Sequence, residues 1–254
     1  MSGLLAIVPV LNLWETYTRP MLQSLTADHP LSVLIIDNGS DGSGERAHEM
    51  ADHFRSIDVI RNGVNRGVGA SWNQGIRWGL ANGYDRFLIL NNDIVVHPAA
   101  IDALERVFDR DGVYLASMHD VAGELGSAAG ILRVPPKPPV TATAPNFSAF
   151  IIGTKTLDAM VAAGDPLLGF FDESFSPAYF EDNDYHYRMK LYLGEASAIV
   201  TTDAMFYHYG SRTQNQAQSV PVVSGSRFEQ NRAYYVKKWG GTPGRERFRR
   251  PFDE

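Results

Sequence analysis

The chain has no cysteine. That excludes disulfides, thiolate zinc sites and a cysteine nucleophile, and makes a reducing cytoplasm the natural setting. No apolar run is long enough to span a membrane. The opening stretch MSGLLAIVPVLN lacks the basic region of a secretory signal and runs straight into a predicted strand. A soluble, cytoplasmic protein is therefore expected. No internal repeat is present. No P-loop is present either, since no Gly-Lys-Ser/Thr follows a strand. Positive charge is in short supply: the net charge is −6 over 254 residues, which argues against broad nucleic-acid binding.

What is present fits one large α/β domain or two small ones fused into a single body. A hydrophobic fraction of 44% and a charged fraction of 20% are ordinary for a globular chain, which at this length buries a core without staples. The charge is uneven. From Arg227 onward the chain carries +4 and the remainder −10. Such a basic tail suits a phosphorylated acceptor or peripheral contact with an anionic membrane, the alternative being a solvated helix and tail.

The first half alternates strand and helix signals. LLAIVPV, LSVLIID, IDVIRN and FLILNNDIVV read as strands. The stretches Trp14–Leu25, Glu45–Phe54, GASWNQGIRWGLANG and AAIDALERVF read as helices. Alternation of this kind predicts a mostly parallel, Rossmann-like sheet with helices on both faces. Ligands in such sheets bind at the carboxyl ends of the strands, where Asn12, Asp37–Asn38 and Asn91–Asp93 fall. The Pro-rich segment Val134–Pro145 reads as an extended connection. After it come a strand (NFSAFIIG), a helix with a Thr cap ending at Gly164, an aromatic turn (GFFDESF) and a helix from Glu181. A strand ending at His208, a polar and mobile stretch Gln214–Ser226, and a final helix complete the pattern. The expected division is into two halves, 1–117 and 118–254, within one continuous domain.

Five constellations carry chemistry. Asn91-Asn92-Asp93 ends an apolar strand with amide and carboxylate oxygens, which suit Mg²⁺ or Mn²⁺; a polar turn is the other reading. Asp37 and Asn38 end another strand, where a carboxylate can accept from a base or ribose. Asn65-Arg66-Gly67-Val68-Gly69-Ala70 precedes a helix whose N-terminus favours phosphate. It is not a dinucleotide fingerprint, because Trp72 holds the place of the third glycine. In Glu181-Asp182-Asn183-Asp184 at a helix start, Asp184 and Arg188 are spaced to pair. That leaves Asp182 as the candidate general base, its charge favoured by the helix dipole. His208, after an apolar strand, is a candidate metal ligand or a packed core residue.

Together these pieces resemble family-2 glycosyltransferases, inverting enzymes of GT-A fold, and among them the rhamnosyl- and galactofuranosyl-transferring members. AIVPVLN, VLIIDNGSDGS, NRGVGASWNQGI, LILNNDIVV, GFFDESFSPAYFEDNDYHYRMK and FYHYGS with its following Lys-Trp-Gly helix carry the resemblance, from about Leu5 to Gly241. The resemblance implies that Pro9, Val10, Asn12, Asp37 and Asn38 line the base and ribose, with Asn65, Gly67, Asn73, Asn91 and Asn92 near the nucleotide. Asp93 and His208 would bind the metal and Asp182 would be the base. It implies a UDP-, dTDP- or GDP-sugar donor, Mn²⁺ or Mg²⁺, and a glycan, glycolipid, protein or modified nucleobase as acceptor. One position departs from the family: the first acid of the Asp-x-Asp motif is Asn91, and an amide attracts a cation less than a carboxylate. Two rivals are a sugar-nucleotide pyrophosphorylase, whose Gly-rich basic loop is absent from LNLWETYTRP, and a nucleotide-sugar-binding module with a degenerate site.

Overall fold

Strand β1 (Leu4–Val10) is apolar at every position and buried almost throughout. Its side chains alternate between two cores. Leu4, Ala6, Val8 and Val10 face one, and Leu5 and Ile7 face the other. An apolar run covered on both faces is what a central parallel strand requires. The structure, a computed structural model, describes residues 3–40, 42, 44–210 and 225–253.

Strands β2 (Ser32–Asp37), β3 (Ser56–Arg61) and β4 (Arg86–Leu90) pair in parallel around β1 in the order β3-β2-β1-β4. Beyond β4 the pairing changes. Strand β8 (Ala149–Gly153) runs antiparallel to β4, and β6 (Leu115–Asp120) antiparallel to β8. Strand β9 (Ala198–His208) is parallel to β6 and takes β5 (Ile94–Val96) on its far edge. A short β7 (Thr141–Ala142) from the Pro-rich segment also pairs with β9. One sheet thus runs through both halves of the chain, and the expected boundary at 117/118 falls inside β6.

Helices cover the two faces. On one side lie α1 (Arg19–Ser24) and α3 (Ala100–Phe108), with a 3₁₀ segment, Glu45–His53. On the other lie α2 (Val68–Ala81), α4 (Thr154–Ala162) and α5 (Glu181–Leu193). Helix α6 (Gly225–Trp239) packs against the segment before α5. No helix among the described residues is long and apolar enough to cross a membrane.

Two local expectations are revised. The predicted strand FLILNNDIVV is two strands, because Asn91–Asp93 turns the chain from β4 to the opposite edge, where β5 meets β9. The helix expected over Trp14–Leu25 begins as a π-helical turn, Trp14–Thr18, and only then becomes α1; Pro20 has no N–H to continue a regular ladder. The Thr cap expected for α4 is present: Thr156 Oγ1 accepts the Gly153 N–H at 3.1 Å. The polar stretch Gln214–Ser226 lies outside the described residues up to 224; Gly225 and Ser226 are helical.

Gly75 fixes the distance between α2 and the sheet. A Cβ there would lie 2.4 Å from Cγ2 of Ile7 in β1, on a branched side chain with no room to turn away. Gly75→Ala is expected to lower the unfolding free energy by about 1–3 kcal/mol through overpacking, read as a shifted urea midpoint at unchanged slope.

Candidate active site

The parallel strands all end on one edge, and the polar residues gather there. Asp37 closes β2 with both carboxylate oxygens engaged: Oδ1 accepts Ser40 N–H at 2.8 Å and Oδ2 accepts Gly44 N–H at 3.2 Å. Ser40 Oγ in turn accepts the Asn12 N–H at 2.8 Å, tying the loops after β1 and β2 together. Asn12 itself has φ 57°. Pro9 is half-buried near the end of β1.

The β5–β9 pairing brings two distant residues together. Ile94 sits opposite His208, so neighbouring Asp93 reaches the imidazole: His208 Nε2 is 3.2 Å from Asp93 Oδ1, and Tyr209 N–H donates to Asp93 O at 3.0 Å. Asp93 is 4% exposed. Burial disfavours the His208 imidazolium, but the hydrogen bond to Asp93 and the charges of Asp93 and Asp120 outweigh it and raise the pKa.

Helix α5 starts on the same edge. Helix α2 begins just beyond the carboxyl end of β3, and a Cβ on its Gly69 would meet Glu181 Cβ at 3.5 Å. Asp184 is fully buried and engaged on both oxygens. Oδ2 takes Arg188 Nε at 2.9 Å; Oδ1 takes Lys238 Nζ at 2.6 Å and Trp239 Nε1 at 2.8 Å. The predicted Asp184–Arg188 pair is therefore present, as part of a larger cluster. Asp182 is half-buried and makes no ion pair among the described residues; its Oδ1 accepts the Asn183 N–H at 2.7 Å. Burial raises its pKa, against the expectation that the helix dipole alone would hold the charge. Burial raises the Glu181 pKa far more, reinforced by the Asp182 charge, and Glu181 Oε2 has no hydrogen-bond partner among the described residues. One turn along, burial and the Lys190 charge lower the His186 pKa to about 4, so its ring is neutral near pH 7.

The turn before α5 is strained. Tyr179 and Phe180 have φ of 78° and 77°, a left-handed conformation that costs an ordinary residue about 1–3 kcal/mol each. Asn231 of α6 donates to the carbonyls of Ala178 (2.9 Å) and Tyr179 (3.3 Å).

Several predicted ligand-facing residues belong to the framework. Val10 packs its side chain in the core and offers only its carbonyl, which accepts the Asn38 N–H at 2.9 Å. Asn38 is turned inward, donating to Ser71 Oγ at 2.8 Å and accepting from Asn62 at 3.1 Å. The Asn73 amide ties α2 to the loop before α5 through Phe171 N–H, Phe171 O and Glu173, each at 2.9 Å. Asn92 donates to buried Thr18 at 3.0 Å. Asn65 Oδ1 accepts the Gly67 N–H. Gly67, with φ 92°, is pressed against Pro177, whose carbonyl a Cβ would meet at 2.9 Å. The same carbonyl takes the Val68 N–H at 2.8 Å, so one donor at the start of α2 already has a protein partner. Asn91 remains half-buried at the turn, its N–H held by Ser148 O at 2.8 Å.

Other residues escaped the sequence reading. Lys238 was counted in a solvated basic tail but is 3% exposed. It bridges Asp184 to Asp172 at 2.7 Å, and Tyr234 OH also donates to Asp172 at 3.0 Å. Burial works against the Asp172 charge, but Lys238 outweighs it and lowers the pKa. Asp165 joins through Arg188 at 2.7 Å. The only available signal was the helical spacing of Asn231, Tyr235, Lys238 and Trp239. Among the described residues, the group of three side chains close enough to share a cation is His29, Asp102 and Glu105, which is separate from the Asp93–His208 pair.

A family model described as glycosyl transferase family 2 matches residues 5–141. The chain belongs to that family. It is 31% identical over 90 residues to an undecaprenyl-phosphate mannosyltransferase of Micrococcus luteus, an alignment spanning 35% of this chain and 37% of that protein. The fold is shared with three solved structures. A 1–349 fragment of S. aureus TarS in complex with UDP is 17% identical, with a TM-score of 0.57, over 93% of this chain and 71% of that one. The mannosyltransferase PcManGT from Pyrobaculum calidifontis, in complex with GDP-Man and Mn²⁺, is 14% identical with a TM-score of 0.57 (92% and 61%). GalNAc-T7 with UDP, GalNAc and Mn²⁺ is 11% identical with a TM-score of 0.63 (94% and 48%). The architecture is that of GT-A glycosyltransferases.

The raised pKa of Asp182 has a consequence for stability. A carboxyl titrating higher in the folded than in the unfolded chain subtracts stability above its unfolded value. The deficit grows as pH rises from there to the folded pKa and is then constant. Asp182→Asn removes that deficit, so its melting temperature at pH 7.5 is expected above that of the wild type. The two should converge below pH 4 in a thermal-shift pH series.

Proposed function

We propose that this chain transfers a sugar from a nucleotide-diphosphate sugar to an acceptor hydroxyl, in one displacement that inverts the anomeric carbon, with Asp182 as the base. The observation that carries this reading is a division of labour among the acids. Asp184 is fully engaged in the framework, whereas Asp182, two residues away on the strand-end edge, pairs with no cation among the described residues. A carboxylate with a raised pKa is better matched to proton abstraction near neutral pH than an ordinary one.

The Asp93–His208 pair fits a divalent cation. Two ligands at adjacent octahedral positions, each about 2.1 Å from the ion, lie about 3 Å apart, against 3.2 Å between Asp93 Oδ1 and His208 Nε2. Asp93 and His208, with Asn91 at the same turn, would hold such an ion, and it would supply positive charge against the leaving diphosphate. Asp37 and the Asn12 loop face the base and ribose. The acceptor O–H loses its proton to Asp182 as its oxygen bonds to the anomeric carbon. The bond from that carbon to the diphosphate oxygen breaks with both electrons. Exposed Arg245, Arg249 and Arg250 suit an acceptor bearing phosphate.

Measurements on the wild type and two variants test this. Asp182→Asn is expected to lower transfer by roughly 10²–10⁴-fold while nucleotide binding, followed by calorimetry with UDP and GDP in Mn²⁺, is preserved. The acid limb of the wild-type rate profile should lie above the ordinary carboxylate range. Normal transfer by the Asn variant would refute the base assignment. Binding of a nucleotide sugar without turnover by the wild type would favour the binding module. His208→Ala should raise the Mn²⁺ concentration for half-maximal activity on the order of tenfold or more, and an unchanged requirement would remove His208 from the metal site.

A further inference from the structure

Helix α6 turns one stripe inward: Asn231, Tyr235, Lys238 and Trp239, all buried. Each meets the segment that carries the base. Lys238 and Trp239 reach Asp184, Lys238 also reaches Asp172, and the Tyr235 ring packs on Phe175 and Phe180. Asn231 differs from the rest, because its side-chain partners are backbone carbonyls of the turn before α5.

Those two carbonyls belong to consecutive peptide planes. The plane of the Ala178 carbonyl sets φ of Tyr179, and the plane of the Tyr179 carbonyl sets φ of Phe180. These are the two residues at 78° and 77°. An amide nitrogen has two donors, one for each carbonyl. Nothing in the local sequence favours the conformation, since Tyr and Phe are poor residues for positive φ. The Phe180 carbonyl then accepts the Asp184 N–H at 2.9 Å, opening α5, and Asp182 lies within that first turn.

We propose that Asn231 is a positioning residue: its side-chain amide clamps the strained Tyr179–Phe180 turn and thereby aims Asp182 at the acceptor hydroxyl. This rests on the reading of Asp182 as the base. Without the amide, a buried carbonyl and a part-buried one lose their donor and the turn relaxes toward negative φ. The first turn of α5 shifts with it, while the nucleotide contacts at the ends of β1 and β2 stay in place. Displacements on the order of 1 Å at a reacting group cost about 10²-fold in rate.

The test uses the full chain with Asn231→Ala, Asn231→Gln, Tyr235→Phe and Asp182→Asn. Tyr235→Phe removes a 2.6 Å hydrogen bond to Glu246 from the same helix stripe without touching the turn, and so controls for loosening of α6. Two readouts are taken. In hydrogen exchange, the amides of 178–186 should exchange at least about tenfold faster in Asn231→Ala than in wild type, with no such change in Tyr235→Phe. In nucleotide release from a panel of UDP-, dTDP- and GDP-sugars, Asn231→Ala should lose about 10–100-fold in kcat. Its Kd for UDP or GDP in Mn²⁺ should stay within about twofold, with partial recovery in Asn231→Gln, which keeps the donors. Unchanged exchange over 178–186, or full kcat in Asn231→Ala while Asp182→Asn is inactive, overturns the clamp and leaves the base assignment standing. Full activity in Asp182→Asn overturns the base assignment, and the exchange data then decide the clamp alone.

Discussion

Arg188 and Lys238 are two cations sealed inside the protein with three carboxylates, Asp165, Asp172 and Asp184. The packing of α5 and α6 depends on this cluster. A buried ionic network contributes little net stability, because desolvation offsets attraction, but removing one member strands the others and costs about 3–5 kcal/mol. Its geometry is demanding. Arg188 must reach Asp184 on its own helix, Asp165 beyond α4 and the Phe170 carbonyl at once. Lys238 must come from a different helix to reach Asp172 and Asp184. Apolar packing alone tolerates a helix sliding by part of a turn, whereas these fixed donor and acceptor directions do not.

With α5 held this way, neighbouring acids diverge in character. Asp184 is neutralised by Arg188 and Lys238. Among the described residues no cation pairs with Asp182 or Glu181 in the same turn, and burial disfavours both as anions. The acids of this turn thus differ in whether a cation reaches them: Asp184 is ion-paired, its two neighbours are not. That is how a single helix start supplies both a structural anchor and a group able to take a proton.

The parallel half was largely legible. Strands covered on both faces must be apolar throughout, so β1, β2 and β4 announce themselves, and the polar residues that end them mark the ligand edge. The Asp184–Arg188 pair was legible because helical spacing is local. What was not legible depends on long-range pairing. Nothing near Asn91–Asp93 says that the chain crosses to a new edge there, because the register that brings Asp93 to His208 is set by a strand more than a hundred residues away. Asn38, Asn73 and Asn92 look like ligand residues because amides at strand and helix ends serve either role. Only the partner shows that these three brace loops. Lys238 misleads for a similar reason: a lysine beside other basic residues reads as solvated until the facing acids are known.

The order of the pieces along the chain bears on how the site comes into being. The Asp93–His208 contact closes over 115 residues, and α6 follows every other part of the site in sequence. During synthesis the parallel strands can assemble from the ribosome's exit onward. The β5–β9 edge and the clamp on the turn before α5 must wait for segments made much later. Contacts of such wide separation form late and slowly. A nascent chain therefore assembles its parallel strands and their loops before α6 can brace the turn ahead of α5. The edge where the strands end takes its final shape only once the last helix has been made.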